Sequence, residues 1–203
     1  MPVVNGIDTD GDTSSVISCL VENDIAFVGR YYCAETSIAG KKLTPAEAQA
    51  LSQAGIQIAA LYEENPSSIA YFTAQQGTTD ATAALAQAAA IGQPAGSAIY
   101  FTIDYDATDA DIAGGITLYF QAVNAQIGNQ YAVGVYGCGA ACAALLGSSL
   151  ARYAWLSGSS SYNGTSTFTA WSIKQSPQTS ICEGRLAVDP DVAQAEFGGF
   201  RLS

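Results

Sequence analysis

Short β-rich runs alternate with helical stretches over most of this chain, and that alternation restricts it to an α/β architecture built on parallel strands. Strand-like runs fall at 3–8, 26–31, 56–62, 98–104 and 132–136. Helical patterns separate them at about 13–23, 44–54, 67–91, 109–127 and 140–146. Thr44-Pro45 with Glu47 reads as a helix start, with Thr as the N-cap and Pro in the first turn, and Gly55 supplies the stop. Beyond 146 the units tighten. Strands are expected at 153–156, 169–174 and 186–188, with too little chain between them for full helices. Eight strand signals imply a small (β/α)8 TIM-type barrel with trimmed last helices, 1–203 forming a single domain; an open doubly wound sheet is the alternative.

The run at 98–104 is the most informative of the strands. It has no charged residue before Asp104, which suits a strand covered on both faces. It ends in Asp104-Tyr-Asp106, and residues i and i+2 of a strand share a face about 7 Å apart. Active sites of α/β barrels form at the C-terminal strand tips, and paired carboxylates are the machinery of glycosidic-bond cleavage. Polar residues recur at the other strand ends: Asp8 and Asp10, Arg30 and Tyr31, Tyr62 and Glu63, Tyr136, Trp155, Trp171 and Gln175, Asp189 and Asp191. Several converging carboxylates cost stability through repulsion and desolvation, so function is the better explanation for them. Trp155 and Trp171 are candidates to stack on sugar rings, while Tyr100, Phe101, Phe120 and Phe197 are expected in the core.

Composition removes other chemistries. The chain has no histidine, which excludes Ser-His-Asp and Cys-His catalysis and His-liganded zinc. The formal net charge is −11 with seven basic residues in no cluster, so neither nucleic acid nor an anionic membrane is an expected partner. No apolar run approaches the ~18 residues of a membrane span. Asp8-Thr-Asp10-Gly-Asp12 departs from a calcium loop at its glycine and at position twelve. Gly137-Cys-Gly139 lacks the third glycine and the acid of a dinucleotide fingerprint. No cofactor and no metal is expected. The cysteines are Cys19, Cys33, Cys138, Cys142 and Cys182, an odd number without C-x-x-C spacing, which suggests one or two disulfides and at least one free thiol. Asn163-Gly-Thr165 matches a glycosylation acceptor. The start Met-Pro-Val-Val carries no signal peptide, and the expectation is a mature, secreted chain that acts as a monomer.

Several segments together resemble one family. Leu43-Thr-Pro-Ala-Glu-Ala-Gln-Ala-Leu-Ser-Gln-Ala-Gly-Ile, Leu61-Tyr-Glu63, Ile99-Tyr-Phe-Thr-Ile-Asp-Tyr-Asp106, Val133-Gly-Val-Tyr-Gly137 and Val188-Asp-Pro-Asp191 look like the glycoside-hydrolase-like domain of unknown function 1906. That family is itself similar to the family 25 lysozymes, trimmed barrels that cut the glycan chain of peptidoglycan. In those enzymes the fourth strand ends in Asp-x-Glu. The resemblance implies that Asp104 stabilises or orients the reacting sugar, that Asp106 takes the place of the proton-donating Glu, and that Asp8 and Asp189 or Asp191 complete the acids. Asp106 is one methylene shorter than Glu, and Glu63 is the other candidate donor. Arg30, Tyr31, Tyr62, Tyr136, Trp155, Trp171, Gln175, Asp189 and Asp191 are expected to bind substrate. The function implied is hydrolysis of an N-acetylated amino-sugar polymer, peptidoglycan or chitin. The alternatives are a carbohydrate-binding protein on the same barrel and a metal-dependent hydrolase of a substituent. The charge of −11 opposes a polyanionic wall at neutral pH, which implies either work at acid pH or a neutral substrate.

Overall fold

The alternating pattern closes into a barrel. In the computed structural model, which describes residues 3–34 and 36–203, seven strands run parallel in sequence order: β1 (Val4–Asp8), β2 (Phe27–Tyr32), β3 (Gln57–Tyr62), β4 (Ala98–Thr102), β5 (Ala132–Gly137), β6 (Tyr153–Leu156) and β7 (Ile173–Gln175). A short strand, β8 (Thr179–Ile181), pairs with β9 (Leu186–Ala193), and β9 closes the barrel by pairing antiparallel with both β7 and β1. The small eight-stranded TIM-type barrel expected from the sequence is therefore present, with its last helices absent. The last strand departs from the parallel expectation for a simple reason. The chain runs on from β7 through residues 176–178 into β8 in the same direction, and residues 182–185 turn it straight back as β9, whereas a parallel return needs a crossover of a dozen or more residues.

Helices α1 (Ile17–Glu22), α2 (Pro45–Gln53) and α3 (Ala74–Ile91) follow the first three strands, and α6 (Gly139–Gly147) follows β5. Thr44 and Thr73 cap α2 and α3 by accepting the N–H of Glu47 and Gln76. The helical pattern at 67–91 opens with a 3₁₀ turn at Ile69–Tyr71, so α3 begins seven residues later than the sequence pattern. The pattern at 109–127 divides into α4 (Asp109–Asp111), a π segment (Ile112–Ile116) and α5 (Thr117–Ile127). The break coincides with Gly114-Gly115; a Cβ on Gly115 would lie 2.5 Å from the Phe72 carbonyl oxygen, so the close approach of the two segments requires glycine. No helix among the described residues is long and apolar enough to cross a membrane.

Two apolar layers hold the barrel. The outer one lies between strands and helices, and the inner one comprises Phe27, Ala59, Leu61, Ala98, Tyr100, Tyr153, Trp155, Ile173, Ala193 and Phe197. Inward glycines make room for its rings: a Cβ on Gly134 would lie 2.5 Å from Tyr100 and one on Gly29 2.4 Å from Trp155. Small residues opposite large ones fill a narrow barrel without voids. Tyr100, Phe101, Phe120 and Phe197 are all buried, as expected.

Cys19 and Cys182 form a disulfide that ties α1 to the turn between β8 and β9 across 163 residues of sequence. Cys33, Cys138 and Cys142 are free and buried. The bond anchors a hairpin that has no helix to cover it. Cys19→Ser with Cys182→Ser, or reduction, is expected to lower unfolding free energy in urea by about 2–4 kcal/mol. An unchanged urea midpoint would mean that the hairpin is held by its β9 pairing alone.

Candidate active site

The C-terminal ends of the parallel strands carry a cavity of about 170 Å³, lined by Asp8, Asp10, Tyr31, Lys41, Glu63 and Asp189 among others. Asp8, the last residue of β1, is 2% exposed. Its Oδ1 accepts from the Tyr31 hydroxyl at 3.0 Å and its Oδ2 from Gln175 Nε2 at 2.7 Å. Burial, opposed by these two donors and reinforced by the charge of Asp189, pushes its pKa up to about 7. Gln175 turns its Oε1 to the Tyr136 hydroxyl at 3.0 Å and to the Gly158 N–H at 3.0 Å, so one amide fixes β1, β5 and the loop after β6.

β9 brings two acids inward from the opposite direction. Asp189 stands level with Asp8 and Asp191 level with Gly6, and alternation puts both on one face. Asp191 Oδ1 accepts from Trp155 Nε1 at 2.9 Å, while its Oδ2 is buried without a partner. Burial first, and the charge of Asp8 second, drive Asp191 far above the usual carboxylate range. Asp189 is raised by burial and by Asp10. Tyr31 and Tyr136 are raised by burial and then by the Asp8 charge, which keeps both as hydroxyl donors.

Glu63 follows β3 and is partly buried. Lys41 Nζ lies 2.5 Å from its Oε1 and 4.9 Å from the centre of the Tyr31 ring. Burial raises Glu63, the ammonium of Lys41 opposes it, and Asp104 and Asp10 reinforce it, for a net upward shift. An upward shift is the direction that a general acid requires. Lys41 was missed by reading strand ends, because it sits in the loop between β2 and α2. The signal was there in a sparse inventory: Lys41-Lys42 is a basic pair in a chain with seven basic residues.

The remaining expected residues fall elsewhere. β4 ends at Thr102, so Asp104 and Asp106 lie in an exposed loop and the shared-face spacing does not apply to them. Asp104 stays at the lip, its charge felt by Glu63 and Tyr136. Asp106 Oδ1 accepts the Asn163 N–H at 2.6 Å, which ties that loop to the one after β6. Asn163 Nδ2 donates to the Ala107 carbonyl and to Asp109, and Thr165 Oγ1 accepts the Gly139 N–H. The expected glycosylation site is thus an internal lock, and a sugar on Asn163 would break it.

Four expected substrate contacts are corrected. Arg30 points outward from β2, fully buried against α2, where its Nε lies 2.8 Å from Glu47 Oε1. Tyr62 also points outward, 5.7 Å from the Phe101 ring, with its hydroxyl on Glu64. Trp155 is at 0% exposure inside the barrel, its indole bonded to Asp191 and unavailable for stacking. Trp171 precedes β7, and the pairing of Ile173 with Trp155 puts it at the opposite end of the barrel from the acids. Asp8, Tyr31, Glu63, Tyr136, Gln175, Asp189 and Asp191 are brought together.

Comparison with known proteins agrees with this architecture. A family profile described as Rv2525c-like, glycoside hydrolase-like domain matches residues 18–194. The uncharacterized protein FadG of Bacillus subtilis is 27% identical over 198 residues, which cover 92% of this chain and 34% of FadG. The chain therefore spans about a third of that curated relative. The Tat-secreted protein Rv2525c of Mycobacterium tuberculosis, crystallised with HEPES, superposes with a TM-score of 0.82 at 22% identity, over 97% of this chain and 98% of that one. The modular autolysin LytC of Streptococcus pneumoniae, solved with a synthetic peptidoglycan ligand, does so with a TM-score of 0.60 at 14% identity, over 95% of this chain and 47% of LytC. At these identities the two structures speak for the fold.

Proposed function

This chain belongs to the Rv2525c-like, glycoside hydrolase-like domain family, and from that membership we propose that it cleaves glycosidic bonds in a cell-wall amino-sugar polymer of the peptidoglycan or chitin type. The observation that carries the reading is the convergence of Asp8, Glu63 and Asp189 on one cavity at the barrel mouth, with all three carboxyls raised by burial. Retaining such a cluster costs folding free energy, which a purely structural role does not call for.

Glu63 is the proton donor in this reading. Its carboxyl lines the cavity and is pushed upward, whereas Asp106 is committed to the Asn163 backbone. Asp104, exposed at the lip, stabilises the positive charge that develops at the sugar or holds the substrate's acetamido group for attack. Tyr31 and Tyr136, whose hydroxyls donate to Asp8 and Gln175, flank the sugar in this reading, and Gln175 fixes both Asp8 and Tyr136 in place. Two further observations support work outside the cell: the Cys19–Cys182 disulfide, which persists in oxidising compartments, and the secretion of Rv2525c. The chain acts as a monomer in this reading.

A second reading, a carbohydrate-binding barrel without turnover, is favoured by one feature: the fourth-strand acid that would donate the proton is short and tied back to a loop. Reducing-end release from peptidoglycan and chitin oligomers between about pH 3 and pH 8 separates the two. Glu63→Gln and Asp104→Asn are expected to lose about 100-fold or more, the scale of a lost acid–base group. Asp106→Asn is expected to stay within a few-fold of the wild type. No release by the wild type at any pH, with oligomer binding intact, would establish the binding protein instead.

A further inference from the structure

We propose that the end of the barrel opposite the acids carries a second site, which holds an oxyanion-bearing polymer between Arg152 and Arg201. It is independent of glycan cleavage.

The strand order places both arginines there. Arg152 directly precedes β6, Gln57 opens β3 and Ser97 precedes β4, so all three stand at the N-terminal ends of parallel strands. β9 runs the other way, and the segment after it, residues 194–201, arrives at the same end. That segment is tied down. Phe197 belongs to the inner layer and its carbonyl accepts from the Tyr100 hydroxyl at 2.5 Å. The Gly198 carbonyl accepts the Ala98 N–H, and Phe200 exchanges two hydrogen bonds with Ile58. Against this fixed floor lies a cavity of about 460 Å³, lined by Gln57, Ser97, Arg152, Glu196, Gly199 and Arg201 among others. A second cavity, also about 460 Å³, shares Gly96 and Arg152 with it and continues past Asn129 and Tyr131. The two form one run of surface with Arg152 at the junction.

The run is rich in unused donors. Among the described residues neither Arg152 nor Arg201 forms an ion pair, although Glu196 lines the same cavity. The arginines whose side chains donate hydrogen bonds to described residues are Arg30 and Arg185. The Gly198 and Gly199 N–H groups, on the cavity lining, also donate to no described acceptor. The Arg152 guanidinium stands over the Tyr153 ring, 5.3 Å from its centre, which holds the fork in place. A guanidinium matches the paired oxygens of a phosphate or carboxylate, and glycine N–H groups suit the same oxyanion. Two guanidiniums along adjoining cavities suit a chain that repeats its anion.

The net charge of −11 opposes a polyanion at long range. Distance decides which charges the bound polymer feels. The first five strands have five or six residues, which separates the barrel ends by about 15 Å or more. Screening at physiological salt acts over about 8 Å. At contact the arginines therefore outweigh Asp8, Asp10 and Asp189.

The test is calorimetric titration of the purified chain, at about 0.15 M salt, with a glycerol phosphate hexamer, hexagalacturonate and the N-acetylglucosamine hexamer. At least one anionic hexamer is expected to bind, and binding by one alone identifies phosphodiester or carboxylate as the source. Arg152→Gln and Arg201→Gln are each expected to weaken that binding about tenfold and to leave the neutral hexamer unaffected. Both side chains are exposed, so melting should not change. Lys174→Gln, an exposed position on β7 outside both cavities, should leave every titration unaltered. At about 1 M salt the anionic hexamer should no longer bind. The proposal is overturned if neither anionic hexamer binds, if binding survives in the double arginine variant, or if Lys174→Gln weakens it as much as Arg152→Gln does. Cleavage of a neutral glycan plays no part in these outcomes, so the hydrolase reading and this one can fail separately.

Discussion

Asp8→Asn is expected to make this protein more stable at pH 8. In the unfolded chain Asp8 ionises near 3.8, and in the fold burial holds it protonated up to about 7. A raised folded pKa means that the unfolded state gives up its proton first. The stability is thus fully present below about pH 4, declines as pH rises from there to about 7, and is lost above. A shift of this size corresponds to about 4 kcal/mol. Asn keeps the shape, can still bond Tyr31 and Gln175, and carries no charge to desolvate. The variant should match the wild type near pH 4 and melt about 5–15 °C higher at pH 8, with a shallower slope between. Asp191 and Asp189, also raised, leave a residual slope. Thermal unfolding at the two pH values checks this. A variant that melts lower at pH 8 would show that the ionised Asp8 stabilises the fold, and the case for a costly functional acid would collapse.

Arg30→Met is expected to cost about 3–5 kcal/mol of stability, the usual result of stranding one member of a buried ion pair. Arg30 and Glu47 have no exposed side-chain surface. The guanidinium also donates from Nη1 to the Thr9 carbonyl at 2.6 Å and from Nη2 to the Gly40 carbonyl at 2.5 Å. Those carbonyls adjoin Asp10 and Lys41, so Arg30 positions the site from outside without touching substrate. Glu47 would be left with the Thr13 N–H and hydroxyl as its partners. The melting temperature should fall by about 10 °C, and Arg30→Met with Glu47→Leu should recover part of the loss, since no charge is then stranded. The direct substrate contact expected from sequence predicts otherwise: a raised KM with unchanged melting. Urea denaturation alongside kinetics distinguishes the two.

The placement of these residues shows where sequence is informative. Thr44 caps α2 as the sequence suggested, and the Glu47 carboxylate at the third position of that helix start turns to Arg30. Arg30 and Tyr31 are adjacent at the end of β2, and polarity alone assigned both to the mouth. Alternation sends them to opposite faces, which only the register of β2 against β1 and β3 decides. Trp155 failed for a related reason: it shares the inner face with the site, but Gly29 opposite it admits the ring so deeply that no sugar can reach it.

Local sequence pointed to the barrel class over an open sheet, to eight strands in the ring, and to Asp8 at the end of β1 and Glu63 just past β3. All of these follow from short-range periodicity, turn residues and connection lengths, which act between neighbours in the chain. Tertiary structure alone decided the antiparallel closing strand, the Lys41–Glu63 pair, the Cys19–Cys182 bond, the burial that raises Asp8, and the retreat of Asp106 to a loop. Each depends on groups far apart in sequence, and desolvation in particular is a property of the surroundings that no single segment encodes.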